Sequence, residues 1–157
     1  MGPPVGYLFA DIEGSTERWD ATPARMLAAV TRLNVLLDEI VTRHGGVIQD
    51  RAGDGVFATF RAGNPLQCAL DLQVGMQSND WSAVGGLALR IGVHAAEDNG
   101  SVATERAAAN RAGRIMSSAW GGQIVVSREA LDRFRLPSHA EALDHGACRL
   151  KGIADSM

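Results

Sequence analysis

Apolar positions along the chain change period several times, and each change marks an element. Residues 5–12 (VGYLFADI) form a nearly continuous apolar run ending in a carboxylate, the pattern of a buried strand with Asp11 at its C-terminal end. Glu13-Gly14-Ser15-Thr16 supplies turn and N-cap residues. From Pro23 onward Met26, Val30, Leu33, Leu37, Ile40 and Val41 recur at steps of three and four, which predicts a long helix burying one face. Gly45-Gly46 stops it. A short strand from Val47 to about Asp50, the turn Gly53-Asp54-Gly55 and an alternating strand over residues 56–60 predict a hairpin with Asp54 in or beside its turn.

The second half repeats the vocabulary. Residues 65–76 read as an amphipathic helix and residues 87–95 as a strand carrying Arg90 and His94. Residues 104–119 are alanine-rich and place Asn110, Arg111 and Arg114 in helical register before the stop at Gly121-Gly122. A strand over 123–126, a short helix capped by Ser127 and a polar strand around 147–151 complete the chain. The order predicts a single α+β sandwich over residues 1–157, helices packed on a mostly antiparallel sheet, with a final apolar strand missing.

Composition narrows the partner. With 157 residues, 46% hydrophobic and 21% charged, the chain fits one globular domain. Its net charge of −3 and 5% aromatic content weigh against a nucleic-acid polymer as ligand, whereas a local basic cluster still suits a single triphosphate. Cys68, inside an apolar run, and Cys148 form neither a disulfide framework nor a zinc-ligand spacing, which suits a reducing, cytoplasmic location. No stretch approaches the roughly 18 apolar residues that span a bilayer, so no direct membrane contact is expected. The three tryptophans, Trp19, Trp81 and Trp120, form no stripe, and His94 and His44 read as structural.

Asp11 and Asp54 stand at the ends of two strands that this pattern makes neighbours. Two carboxylates held close repel unless cations neutralise them, and Mg²⁺ suits such a pair because it completes its shell with waters and phosphate oxygens. Spacing alone leaves open that Asp11 only caps a helix and Asp54 only turns a hairpin.

The wording of the segments goes further. Leu8-Phe9-Ala10-Asp11-Ile12-Glu13-Gly14-Ser15-Thr16, His44-Gly45-Gly46-Val47 leading to Gly53-Asp54-Gly55-Val56, Leu89-Arg90-Ile91-Gly92-Val93-His94, Asn110-Arg111-Ala112-Gly113-Arg114-Ile115, and Gly121-Gly122-Gln123-Ile124-Val125-Val126-Ser127 occur in that order. Together they resemble the class III adenylyl and guanylyl cyclases, of the bacterial type whose first strand reads Phe-x-Asp-Ile-x-Gly-Ser-Thr. The resemblance implies a ferredoxin-like βαββαβ sandwich that closes ATP or GTP into its 3′,5′-cyclic monophosphate and releases pyrophosphate.

Carried over residue by residue, the resemblance makes Asp11, Asp54 and the Ile12 carbonyl ligands of two Mg²⁺ or Mn²⁺ ions. Glu13, Gly14, Ser15 and Thr16 would lie against phosphate oxygens at a helix N-terminus. Arg90 would bind the triphosphate and Lys151 its β- and γ-phosphates, while Asn110 and Arg114 would orient the ribose and stabilise charge on the α-phosphoryl group. In this family the metal aspartates of one subunit face the Asn and Arg of another, which implies a head-to-tail homodimer. The two base-reading positions hold Asp50 and Ala103, neither an adenylyl cyclase residue; the Asp50 carboxylate leans toward guanine, whose N1–H and N2–H₂ are donors. Arg106 stands where the family commonly has Gly. These departures leave a second reading, a weak or non-catalytic nucleotide-binding module. Asp11-Ile12-Glu13-Gly14-Ser15 also resembles, faintly, the Asp-x-Asp-Gly-Thr loop of haloacid-dehalogenase-like phosphatases, but the second carboxylate is Glu, the residue order that follows is off, and that fold needs a larger parallel sheet with crossover helices.

Overall fold

The computed structural model describes residues 2–52 and 55–143. Five strands form one sheet in the order β2-β3-β1-β4-β5: β1 is Pro4–Ile12, β2 Val47–Ala52, β3 Gly55–Phe60, β4 Leu89–Glu97 and β5 Ile124–Val126. The helices are α1 Ser15–Ala21, α2 Pro23–Arg43, α3 Pro65–Ser78, α4 Val102–Ser117 and α5 Arg128–Arg133. Neighbouring strands run antiparallel except β4 and β5, which are parallel. The first part of the chain is therefore the expected βαββαβ unit, and α4 is the crossover that a parallel fifth strand requires.

The sheet buries both faces unequally because side chains alternate along each strand. Leu8, Ala10 and Ile12 of β1 join Met26, Leu33, Leu37, Leu66, Leu72, Leu89 and Ile91 in the main core under α2 and α3. Val5 and Tyr7, with Phe9 beside them, face the other way and meet Ala108 and Ala112 of α4. Asp11, two residues beyond Phe9, shares this second face. The approach of α4 is close: a Cβ on Gly92 would lie 2.3 Å from the Met116 backbone nitrogen, so only glycine lets helix and strand meet there.

Local signals account for the helix boundaries. The Asn64 side chain accepts from Leu66 N–H at 2.9 Å ahead of Pro65, and the side chains of Ser101 and Ser127 cap α4 and α5 in the same way. The sequence pattern did not separate α1 from its surroundings. STERWDA carries no buried residue, and the break that follows is made by Pro23, which takes the first position of α2 and leaves Thr22 at φ −143°. A short 3₁₀ turn over Ser82–Val84 was likewise not predicted, and β4 begins at Leu89 rather than two residues earlier.

The long helix offers a direct check of the buried face. Leu33 is fully buried, whereas Leu27 on the same helix is 61% exposed. Leu33→Ala is expected to cost about 2–5 kcal/mol in urea unfolding, against about 0.5 kcal/mol or less for Leu27→Ala. Equal costs would contradict the placement of α2.

Candidate active site

At one end of the sheet a carboxylate and a guanidinium stand side by side. Asp11 pairs with Arg90 across β1 and β4. The Arg90 Nε donates to Asp11 Oδ1 and its NH2 to Oδ2, both at 2.7 Å, a bidentate fork on a carboxylate only about a quarter exposed (26%). On its other side Asp11 is paired with Gly55, the first residue of β3. A Cβ there would come within 3.1 Å of the Asp11 Cβ, so the glycine keeps the space beside the carboxylate open.

Backbone geometry orients the next residue. Glu13 N–H donates to Ala88 O at 2.9 Å, toward the β4 side. Because the peptide is planar and trans, the Ile12 carbonyl points the opposite way, toward the β3 side where the chain leads into the β2–β3 hairpin. Gly14 follows in the left-handed region (φ 66°, ψ 31°), as a residue without Cβ can, and Ser15 and Thr16 begin α1. The N-terminal N–H groups of α1 receive no side-chain cap. Glu13 does not extend into this turn: its carboxylate accepts the Gly121 N–H at 2.7 Å, from the turn between α4 and β5. Arg18, passed over by sequence reasoning, closes the loop by donating to the carbonyls of Gly86, Glu13 and Gly14.

The remaining assigned residues divide between two surfaces. Asp50 is exposed on the edge strand β2 and pairs with Phe57, which stacks on Phe9 at 4.5 Å between ring centres. Asp50, Phe57 and Phe9 therefore form a row across three strands that runs beside Asp11, with Asp50 about 10 Å from β1. Ala103, Arg106, Asn110 and Arg114 all lie on the exposed stripe of α4, opposite its buried face of Ala108, Ala112, Ile115 and Met116. Within one chain that stripe points away from the sheet carrying Asp11 and Arg90. Asp54 and Lys151 lie outside the described residues, as do Cys148 and the strand expected around 147–151.

His94, on the same sheet face as Asp11, is a structural residue. It is 4% exposed, and its Nδ1 shares a 2.8 Å hydrogen bond with the Ser127 hydroxyl, which also accepts from Ala130 N–H. Burial, assisted by the Arg111 and Arg133 charges against the opposing pull of Glu129, pushes its pKa down to about 4. The folded state therefore binds this proton less readily than the unfolded chain, whose histidine titrates near 6.5. Stability from this site is complete above pH 6.5 and is lost as pH falls from 6.5 toward 4, by about 3 kcal/mol. Urea midpoints measured across that range are expected to fall, and His94→Gln to flatten the slope. An unchanged slope would sink the assignment. Cys68 is also structural, its thiol pushed by burial up to about 12 and thus unreactive.

Among the described residues no three or more His, Cys, Asp or Glu side chains gather as a metal cage, and no helix is long and apolar enough to cross a membrane. Among the described residues, the oxygens offered at the end of β1 are the Asp11 carboxylate and the Ile12 carbonyl, a small set of the kind that suits Mg²⁺ when phosphates and waters complete its shell.

Comparison with known proteins agrees with this architecture. The profile of the adenylate and guanylate cyclase catalytic domain matches residues 2–157. An uncharacterized protein of Mycobacterium tuberculosis is 36% identical over 163 residues, covering 96% of this chain and 54% of that protein, so the chain spans about half the length of the curated relatives it matches. Among solved structures, an adenylate cyclase from Trypanosoma brucei in its monomeric state superposes with a TM-score of 0.83 at 23% identity, covering 98% of this chain and 86% of that one. The guanylate cyclase domain of RhGC from Catenaria anguillulae in complex with GTP gives 0.80 at 18% identity, with 98% and 93% covered. The fold is thus that of the cyclase domains, and the chain belongs to the adenylate and guanylate cyclase catalytic domain family.

Proposed function

We propose that this chain, acting as one cytoplasmic domain over residues 1–157, is a nucleotide cyclase that converts ATP or GTP to the 3′,5′-cyclic monophosphate and pyrophosphate. It does so at the interface of a head-to-tail homodimer. The observation that carries the reading is the split of the assigned residues. Asp11 and Arg90 share one end of the sheet, while Ala103, Asn110 and Arg114 line the outward stripe of α4. One copy cannot bring both groups to one substrate, and a second copy related by a twofold axis can.

Two Mg²⁺ or Mn²⁺ ions fit the β1 end, where Asp11, the Ile12 carbonyl and Asp54 would hold them. Bound there, they would lower the pKa of the ribose 3′-hydroxyl and neutralise charge on the phosphates. The chain's own groups do the rest. Arg90 supplies positive charge to Asp11 through its bidentate pair; a cation held by that carboxylate would take over this role and leave the guanidinium to serve the triphosphate. Backbone N–H groups of Gly14, Ser15 and Thr16 meet phosphate oxygens, joined by Lys151. From the second copy, Asn110 orients the ribose for in-line attack on the α-phosphorus, and the Arg114 guanidinium stabilises charge developing there. No protein nucleophile takes part.

Exchange of partners at Arg90 makes a testable pair of effects. Arg90→Gln removes a competitor for Asp11 and a ligand for phosphate. It is expected to tighten Mn²⁺ binding measured without nucleotide by roughly tenfold and to raise the KM for nucleotide by a similar factor. Parallel changes in both constants would contradict the exchange.

Asp50 favours GTP, because its carboxylate matches the guanine N1–H and N2–H₂ donors. The decisive assay incubates the purified dimer with ATP or GTP and with Mg²⁺ or Mn²⁺. Cyclic product is expected, more from GTP than from ATP; none under any combination would leave the second reading, a nucleotide-binding module. That second reading draws support from Ala103, which offers the base no polar group.

A further inference from the structure

We propose that Glu13 and Arg18 form a clamp that positions the Asp11–Ile12 end of β1, so that cation binding and turnover there depend on two residues that touch neither ion nor substrate. What the end of β1 does rests on the cyclase reading; the clamp itself is read from contacts. The Arg18 guanidinium gathers three backbone carbonyls, with Nε donating to Gly86 O at 2.7 Å and NH1 to Glu13 O at 2.9 Å and Gly14 O at 3.2 Å. Glu13 is held at both ends. Its N–H donates to Ala88 O at 2.9 Å and its Oε2 accepts the Gly121 N–H at 2.7 Å.

Two charged side chains thereby join the loop leaving β1, the segment entering β4 and the turn after α4. A planar fork of donors can serve several carbonyls at once, and charge-assisted hydrogen bonds are shorter and stronger than neutral ones. The glycines in the clamp leave no slack: a Cβ on Gly14 would lie 3.2 Å from the Arg18 NH1, and one on Gly121 would lie 3.1 Å from the Glu13 Oε1. The peptide between Ile12 and Glu13 is the part that matters for chemistry. Holding its N–H against Ala88 holds the Ile12 carbonyl on the opposite side, and the residue before it is Asp11. If Glu13 swings away from Gly121, that peptide loses its second tether, and both the carbonyl and the carboxylate lose a fixed direction. Glu13 is therefore a positioning residue, and its carboxylate is already committed to Gly121 rather than to a phosphate.

The test separates positioning from mere loop stability. For the whole chain, Mn²⁺ affinity by electron paramagnetic resonance, kcat and KM for nucleotide, and the thermal midpoint would be measured for Glu13→Ala, Glu13→Gln and Arg18→Lys. Glu13→Ala is expected to lower Mn²⁺ affinity and kcat by roughly 10–100-fold while KM moves by less than about threefold, the size of loss seen when outer-shell partners of metal ligands are removed. Glu13→Gln keeps an amide oxygen that accepts the Gly121 N–H and is expected to recover most of that loss. Arg18→Lys keeps the charge without the fork and is expected to lose about tenfold in both quantities. A fall in thermal midpoint with Mn²⁺ affinity and kcat unchanged overturns the clamp, as does a Gln variant no better than Ala. Should the Ala variant fail to fold, Glu13→Gln near the parent together with a defective Arg18→Lys supports it, and an unaffected Arg18→Lys overturns it. A parent chain that binds no Mn²⁺ and makes no cyclic product overturns clamp and cyclase reading together; an active parent with unaffected variants overturns the clamp alone.

Discussion

Mixing Asp11→Ala chains with Arg114→Ala chains is expected to restore roughly a quarter of the parent cyclase activity, although either variant alone is nearly inactive. Random re-pairing makes half of the dimers mixed, and each mixed dimer holds one site with both halves intact and one with both lost. The expectation follows from the exposed stripe of α4, where Arg114 faces away from the sheet that carries Asp11. A site assembled inside one chain behaves differently: each variant would be damaged in every copy, and mixing would restore nothing. The check is cyclic product against mixing ratio, with dimer formation followed by sedimentation. Activity no higher than the two variants separately, in demonstrated mixed dimers, rejects the shared site.

The second large effect is at Asp11 itself. Asp11→Asn keeps the shape of the side chain and one hydrogen bond to Arg90, but removes the charge that a divalent cation needs. The kcat is expected to drop by at least about a hundredfold, more than the typical loss from disturbing an outer-shell partner, and Mn²⁺ affinity should fall with it. The fold should survive. Losing one partner of a hydrogen-bonded charge pair that is about a quarter exposed (25% and 26%) costs about 1–3 kcal/mol, too little to mimic such a loss if the protein is assayed well below its midpoint. Retention of Mn²⁺ affinity by a folded Asp11→Asn chain would exclude Asp11 as a ligand.

Much of this arrangement is legible in the sequence, for reasons that differ by residue. The run ending at Asp11 is readable because a strand buried on both faces must be apolar nearly throughout, so a terminal carboxylate stands out. The α2 face is readable because seven buried residues recur at helical spacing. Ala103, Asn110 and Arg114 fall on one stripe because helix geometry alone puts them there.

Other features belong to tertiary register. The Arg90 fork on Asp11 joins residues 79 positions apart, and nothing local to either predicts that their strands align in this phase. The Glu13 carboxylate accepts the Gly121 N–H, 108 positions away, a pairing for which the turn sequence around Glu13 holds no signal. Arg18 gave no signal because its acceptors are backbone carbonyls, which every residue possesses. The short α1 was hidden because a helix that buries none of its residues has no apolar period to read.

The contact between Gly92 and Met116 restricts how such a site could be regulated. With backbone packed directly on backbone, α4 cannot slide over β4 without opening the second core, and packed interiors resist continuous deformation. In the proposed homodimer each copy would then move as a rigid plate with Asp11 and Arg90 on one side and the Asn110–Arg114 stripe on the other. The remaining freedom is the angle and offset between two plates. A signal arriving from elsewhere in a longer parent protein could tune catalysis by turning one plate a few degrees against the other, without any rearrangement inside either.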